Sequence, residues 1–124
     1  MIGALGRVKV YAYCEAVDMR KGIEGLSGLV RETMKDDPLS GALFLFINRR
    51  RDLAKVLYFD GTGMCLLCKR LEKGNFVALW KLAARSTIPL TRTELELFLQ
   101  GSHFVARFQL APAELTDKDL AVRS

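Results

Sequence analysis

Apolar and polar positions change period several times along this chain. Residues 7–14, "RVKVYAYC", mix charges with β-branched and aromatic side chains and predict a strand, wetter on one face at its start. From Met19 the period becomes helical: Ile23, Leu26, Val30 and Met34 recur at helical spacing with Leu29 beside them. "DDPLSG", with Pro38 and Gly41, ends the run. A helix over 19–35 is therefore expected, with Asp18 as its N-cap. Gly22, Gly25 and Gly28 each cost it about 1 kcal/mol relative to Ala, so its backbone is expected to lie close against a sheet.

Two apolar runs follow, "ALFLFI" at 42–47 and "LAKVLYF" at 53–59, joined by the charged loop "NRRRD". "DGTG" at 60–63 is a turn signal, and a third strand runs on through Leu71. "EKGN" at 72–75 is another turn, and "FVALW" at 76–80 is either a fourth strand or a strand fading into loop. "TRTELELFLQG" predicts a second helix over 91–101, with Thr91 or Thr93 as N-cap and Gly101 as the stop. The tail from Phe104 is ambiguous; Pro112 could begin a short final helix.

On the hairpin turning at 60–63, Tyr58, Val56, Cys65 and Leu67 share one face, and Leu57, Phe59, Met64 and Leu66 share the other. A sheet apolar on both faces needs cover on both. One cover is the glycine-containing helix; the other is the C-terminal helix or a second copy of the chain. The expected fold class is a single α+β domain over residues 1–124. A mostly antiparallel meander of four to five strands packs with helices at about 19–35 and 91–101. A homodimer is a possible way of covering what remains.

Charge sharpens this picture. The 124 residues carry a net charge of +5. Between residues 49 and 73 stand Arg49, Arg50, Arg51, Lys55, Lys69, Arg70 and Lys73 against Asp52, Asp60 and Glu72, which accounts for four of those five charges. In a meander the arginine loop and the 69–73 end of the third strand share one end of the sheet. Cations gathered there could contact DNA phosphates; the alternative is a solvated loop kept basic for solubility. Arg20 and Lys21 fall in the predicted first helical turn, where the helix dipole disfavours them. They either serve an anion or pair with Asp18 or Glu24.

Signs of catalysis or metal binding are weak. "CLLC" at Cys65 and Cys68 has zinc-like spacing, but residues three apart on a strand point to opposite faces. The chain has one histidine, His103, and an odd count of three cysteines, so neither a zinc site nor a disulfide framework is expected. Asp60 is explained as a turn residue and Asp18 as a cap, which leaves no acid triad. No cofactor is expected. With no targeting segment and no apolar run long enough for a membrane span, a cytoplasmic location is expected.

"DMRKGIEGLSGLV", "DPLSGALFLFINRRRDLAKVLYFDGTGMCLLCKRLEKGNF" and "ELELFLQG" resemble the TnpB-type, Orf2-like accessory protein of the IS66 family of bacterial insertion sequences. The resemblance covers about residues 7–104, leaving 105–124 as a C-terminal extension. It implies a role in transposition without transposition chemistry, since a separate, larger DDE-type transposase does the cutting and joining. The chain departs from the family pattern at Phe76–Trp80, at Cys68 and at "SHF" after the second helix. Two functions follow as alternatives. One is a non-catalytic factor binding DNA phosphates through Arg20, Lys21, Arg49, Arg50, Arg51, Lys69, Arg70 and Lys73. The other is an adaptor for the transposase with no direct DNA contact.

Overall fold

A computed structural model describes residues 8–101. Five strands form one sheet: β1 (Val10–Ala16), β2 (Leu43–Ile47), β3 (Leu53–Phe59), β4 (Met64–Arg70) and β5 (Thr87–Leu90). Two helices flank it, α1 (Ile23–Glu32) between β1 and β2 and α2 (Arg92–Leu99) after β5. Strand order is β4-β3-β2-β1-β5. The expected α+β class and the β2-β3-β4 meander are present, paired antiparallel throughout. β1 joins β2 in parallel, because α1 intervenes and carries the chain back to the same end of the sheet. Arg7, where the first strand was expected to begin, and the tail from Ser102 lie outside the described residues.

The sheet is covered on both faces. On one side Leu26 and Val30 of α1 pack on Phe44, Phe46 and Leu57. On the other, Leu45, Ile47, Ala54 and Val56 meet Leu95 and Phe98 of α2 and the buried run Phe76 to Leu79. That run is not a strand. It crosses the face of the sheet and ends in a 3-10 turn at Leu79–Lys81, which is why four successive residues are buried. Phe76 stacks on Phe98 with ring centroids 5.1 Å apart. Two large apolar side chains stay exposed among the described residues, Leu39 and Leu67.

β5 is not foreseen by the pattern of apolar positions. It is four residues long and contains Pro89, which argues against a central strand. At the sheet edge beside β1 a missing amide donor is tolerated, and Ile88 and Leu90 alternate inward as a strand requires.

α1 is shorter than the predicted 19–35 helix. Its N-cap is Gly22, not Asp18. The reason is Lys55 on β3. Its ammonium, on a residue only 9% exposed, donates to the carbonyls of Met19 (2.8 Å) and Lys21 (3.0 Å). A helix starting at Met19 would need those same carbonyls for the amides of Ile23 and Gly25. At the other end Lys35 adopts a left-handed φ of 58° and the helix has already stopped. The glycines do not lie against the sheet: a Cβ on Gly22 or Gly28 would meet nothing, and one on Gly25 would meet the Lys21 side chain at 3.1 Å. α2 starts as predicted. Thr91 and Glu94 form a reciprocal capping box, and Gly101 follows with φ 80°.

Candidate nucleic-acid interface

"NRRRD" is a built turn, and its outer residues explain its ends. The Asn48 side-chain oxygen accepts from the amides of Asp52 and Leu53, both at 3.1 Å, and its amide nitrogen donates to the Asp52 carboxylate at 2.7 Å. The Arg51 amide closes the turn on the Asn48 carbonyl at 3.1 Å. Arg51 itself holds a left-handed φ of 61°, where hairpin loops of this kind favour glycine. It is kept there by the irregular run on the α2 side: the Phe76 amide donates to the Arg51 carbonyl at 2.7 Å, and the Arg51 guanidinium donates to the Phe76 carbonyl at 3.1 Å. Asn75 adds a bond to the Arg50 carbonyl at 2.8 Å.

The three arginines therefore differ. Arg51 is half-buried and serves the fold; Arg49 and Arg50 project into solvent. Asp52 sits among them with Arg50 at 3.9 Å and Arg70 at 3.7 Å. The Asn48 amide, assisted by those guanidinium groups, holds its carboxyl below the usual carboxylate range. Both contacts are long and both arginines are mostly exposed, so the pairing is worth little and leaves them able to bind phosphate.

Lys69 and Arg70 end β4, opposite Ala54 and Leu53 of β3, next to the arginine turn. Both are exposed, as is Lys73 in the turn that precedes Asn75. The Asp60–Gly63 turn lies at the other end of the hairpin. There the Thr62 and Gly63 amides and the Thr62 hydroxyl bring the Asp60 carboxyl down to about 2.

Arg20 and Lys21 lie before α1, not in its first turn, so the helix-dipole penalty does not apply to them as expected. Asp18 orders this segment as an Asx turn, accepting from the Arg20 amide at 2.9 Å. The Arg20 guanidinium grips the same carboxylate through Nε and Nη2, with the shortest contact 2.6 Å, and holds its pKa well below the usual range. Lys55 then pins the turn to β3. Lys55 belongs to this structural clamp, although it counts toward the basic excess of the hairpin.

The parallel β1–β2 pairing decides where this turn goes. Ala16 aligns with Ile47, and the Val17 amide donates to the Ile47 carbonyl at 3.0 Å. The 18–22 turn, the 48–52 turn and the 69–75 segment thus share one end of the sheet. Arg85 is a further exposed cation there that sequence reasoning missed. It follows from the antiparallel β1–β5 register, in which the Cys14 amide meets the Ser86 carbonyl at 2.7 Å. No local signal marks it, because β5 itself is not legible.

The register sets Cys65 beside Tyr58 and Cys68 beside Lys55, on opposite faces of the sheet. No group of three metal-ligating side chains occurs among the described residues. His103 lies outside them. Cys14 is 3% exposed, and burial pushes its thiol up to about 11. Alkylation at mildly alkaline pH is expected to modify exposed Cys68 first, Cys65 more slowly and Cys14 only after unfolding; peptide mass mapping of a time course checks the order. No helix among the described residues is long and apolar enough to cross a membrane.

Comparison with known proteins agrees with the motifs. An uncharacterized protein, y4hO, of Sinorhizobium fredii (strain NBRC 101917 / NGR234) is 39% identical over 94 residues, 76% of this chain and 80% of that protein. A second from the same organism, y4jC, also uncharacterized, is 38% identical over 77 residues, 62% of this chain and 66% of its own length. No solved structure matches. The model of the IS66 Orf2-like protein family matches residues 8–108, and with most of its length so matched this chain belongs to that family of insertion-sequence accessory proteins.

Proposed function

We propose that the chain is a non-catalytic accessory factor of transposition that binds DNA through phosphate contacts at the basic end of its sheet. The observation that carries this is topological. Three separated segments, "DMRKG", "NRRRD" and "KRLEKG", converge at one sheet end through β1–β2 and β3–β4 pairing. They bring Arg20, Lys21, Arg49, Arg50, Lys69, Arg70 and Lys73 together, all exposed, with Arg51 holding the turn from which its neighbours project. The carboxylates on these segments, Asp18, Asp52 and Glu72, are fewer. Cations on rigid turns around a sheet end suit a phosphate backbone, which is read by charge and position and not by base edges.

The test is the salt dependence of DNA binding by fluorescence anisotropy. Arg49→Ala with Arg50→Ala is expected to weaken binding to unrelated duplexes alike. It should also flatten the log–log salt slope by about 2, at roughly 0.9 per lost phosphate contact. Arg51 is left in place because its replacement would disturb the turn. An unchanged slope in a folded variant would favour the second reading, an adaptor that leaves DNA to the transposase.

A further inference from the structure

β4 is an edge strand, and its peptide groups can be assigned direction. The Leu71 amide donates to the Asp52 carbonyl at 2.9 Å, and the Asp60 amide donates to the Gly63 carbonyl at 3.0 Å. Antiparallel ladders alternate, so Cys65, Leu67 and Lys69 turn their peptide groups to β3. Met64, Leu66, Cys68 and Arg70 turn theirs outward. Among the described residues nothing pairs with that outer edge, and no proline interrupts it. Leu67, on the α2 face, is 51% exposed.

We propose that this edge pairs with the same edge of a second copy, antiparallel, about a two-fold axis at Leu67. The parity is self-complementary. Leu66 falls opposite the partner's Cys68 and Met64 opposite the partner's Arg70, pairs whose peptide groups all point outward, so the ladder closes. Leu67 meets the partner's Leu67 in a non-hydrogen-bonded pair, the closer of the two kinds, with Cα atoms about 4.5 Å apart. A slip of one residue would set inward-pointing peptide groups against outward-pointing ones, and the ladder would not close.

Charge favours the same register. Lys69 lies opposite the partner's Cys65, and within each chain the Cys65 thiol donates to the Asp60 carboxylate at 3.5 Å. The basic end of each strand therefore faces the acidic turn of the other, twice, and like charges are kept apart. The two basic sheet ends then point in opposite directions along one continuous sheet. Lys69 and Arg70 still project above and below it.

The full-length chain without DNA is the material for the test, so its result is independent of phosphate binding. Sedimentation equilibrium at high micromolar concentration is expected to give a dimer, and Leu67→Glu a monomer with an unchanged circular dichroism spectrum. A second readout holds even if that variant folds poorly. In a Cys65→Ser, Cys68→Ser background, Leu67→Cys should oxidise to a disulfide-linked dimer, because the two Cβ atoms of such a pair lie close. Leu39→Cys, equally exposed but in the α1–β2 connection, should not. A monomeric wild type overturns the proposal, including one whose edge is covered by the chain's own terminal residues. So does a dimer indifferent to Leu67→Glu, or cross-linking no better at position 67 than at 39.

Discussion

Phe98→Ala is expected to lower stability by about 3–5 kcal/mol, the largest loss of any single substitution considered for this protein. Phe98 is fully buried, and its ring lies 9° from parallel with that of Phe76, also fully buried. The stack joins α2 to the irregular run that crosses the sheet, so its loss opens a cavity between two covers of the same sheet face. Thermal unfolding should shift downward by roughly 10–30 °C, at several degrees per kcal/mol for a domain of this size. The effect should also reach the surface. The Phe76 backbone holds Arg51 in its left-handed conformation from both sides, so amide exchange at 48–52 should accelerate with the destabilisation. A loss under about 1 kcal/mol would mean that the site collapses around the cavity, contrary to the packing described.

Lys55→Ala is expected to cost about 2–4 kcal/mol, from lost packing of its stem and from two carbonyls deprived of their donor. The ammonium is the donor that both Met19 and Lys21 carbonyls use. Water can reach the turn once the side chain is gone, which keeps the loss below that of a core phenylalanine. Denaturant unfolding measures the loss. The informative readout is local: hydrogen exchange should rise at 19–23 more than at β3, because the clamp fixes the turn and not the strand. Lys55→Met, which restores the apolar stem, should recover the packing share and leave the exchange at 19–23 fast. A uniform change along the chain would reduce Lys55 to a packing residue. If Arg20 serves DNA, its contribution to the salt slope should fall in the same variants, since the turn that presents it is no longer held.

The elements that local physics decides were legible in the chain. The capping box of Thr91 and Glu94 and the stop at Gly101 depend on neighbours within a few residues. So does the Asp60 turn, where one carboxylate accepts from the Thr62 and Gly63 amides. The face assignments along β3 and β4 follow from a period of two and from the turn between them. The concentration of charge between residues 49 and 73, and its gathering at one end of a meander, follow from the same connectivity.

Other features needed the tertiary structure because their causes are distant in sequence. Helix α1 begins at Ile23 because a lysine more than 30 residues away takes the carbonyls an earlier start would use. The run from Phe76 to Leu79 is apolar enough for a strand, yet its burial comes from lying across the sheet against α2. β5 hides behind a proline that only an edge position permits. Of the three adjacent arginines, identical in the sequence, Arg51 is set apart by Phe76. The meeting of Arg20 and Lys21 with the arginine turn rests on the parallel pairing of β1 with β2, a contact between strands whose crossover the local pattern does not specify. Local periodicity and turn chemistry thus determined the β2-β3-β4 meander and α2, with the charge they carry. Long-range hydrogen bonds and strand order decided which of those charges share a surface.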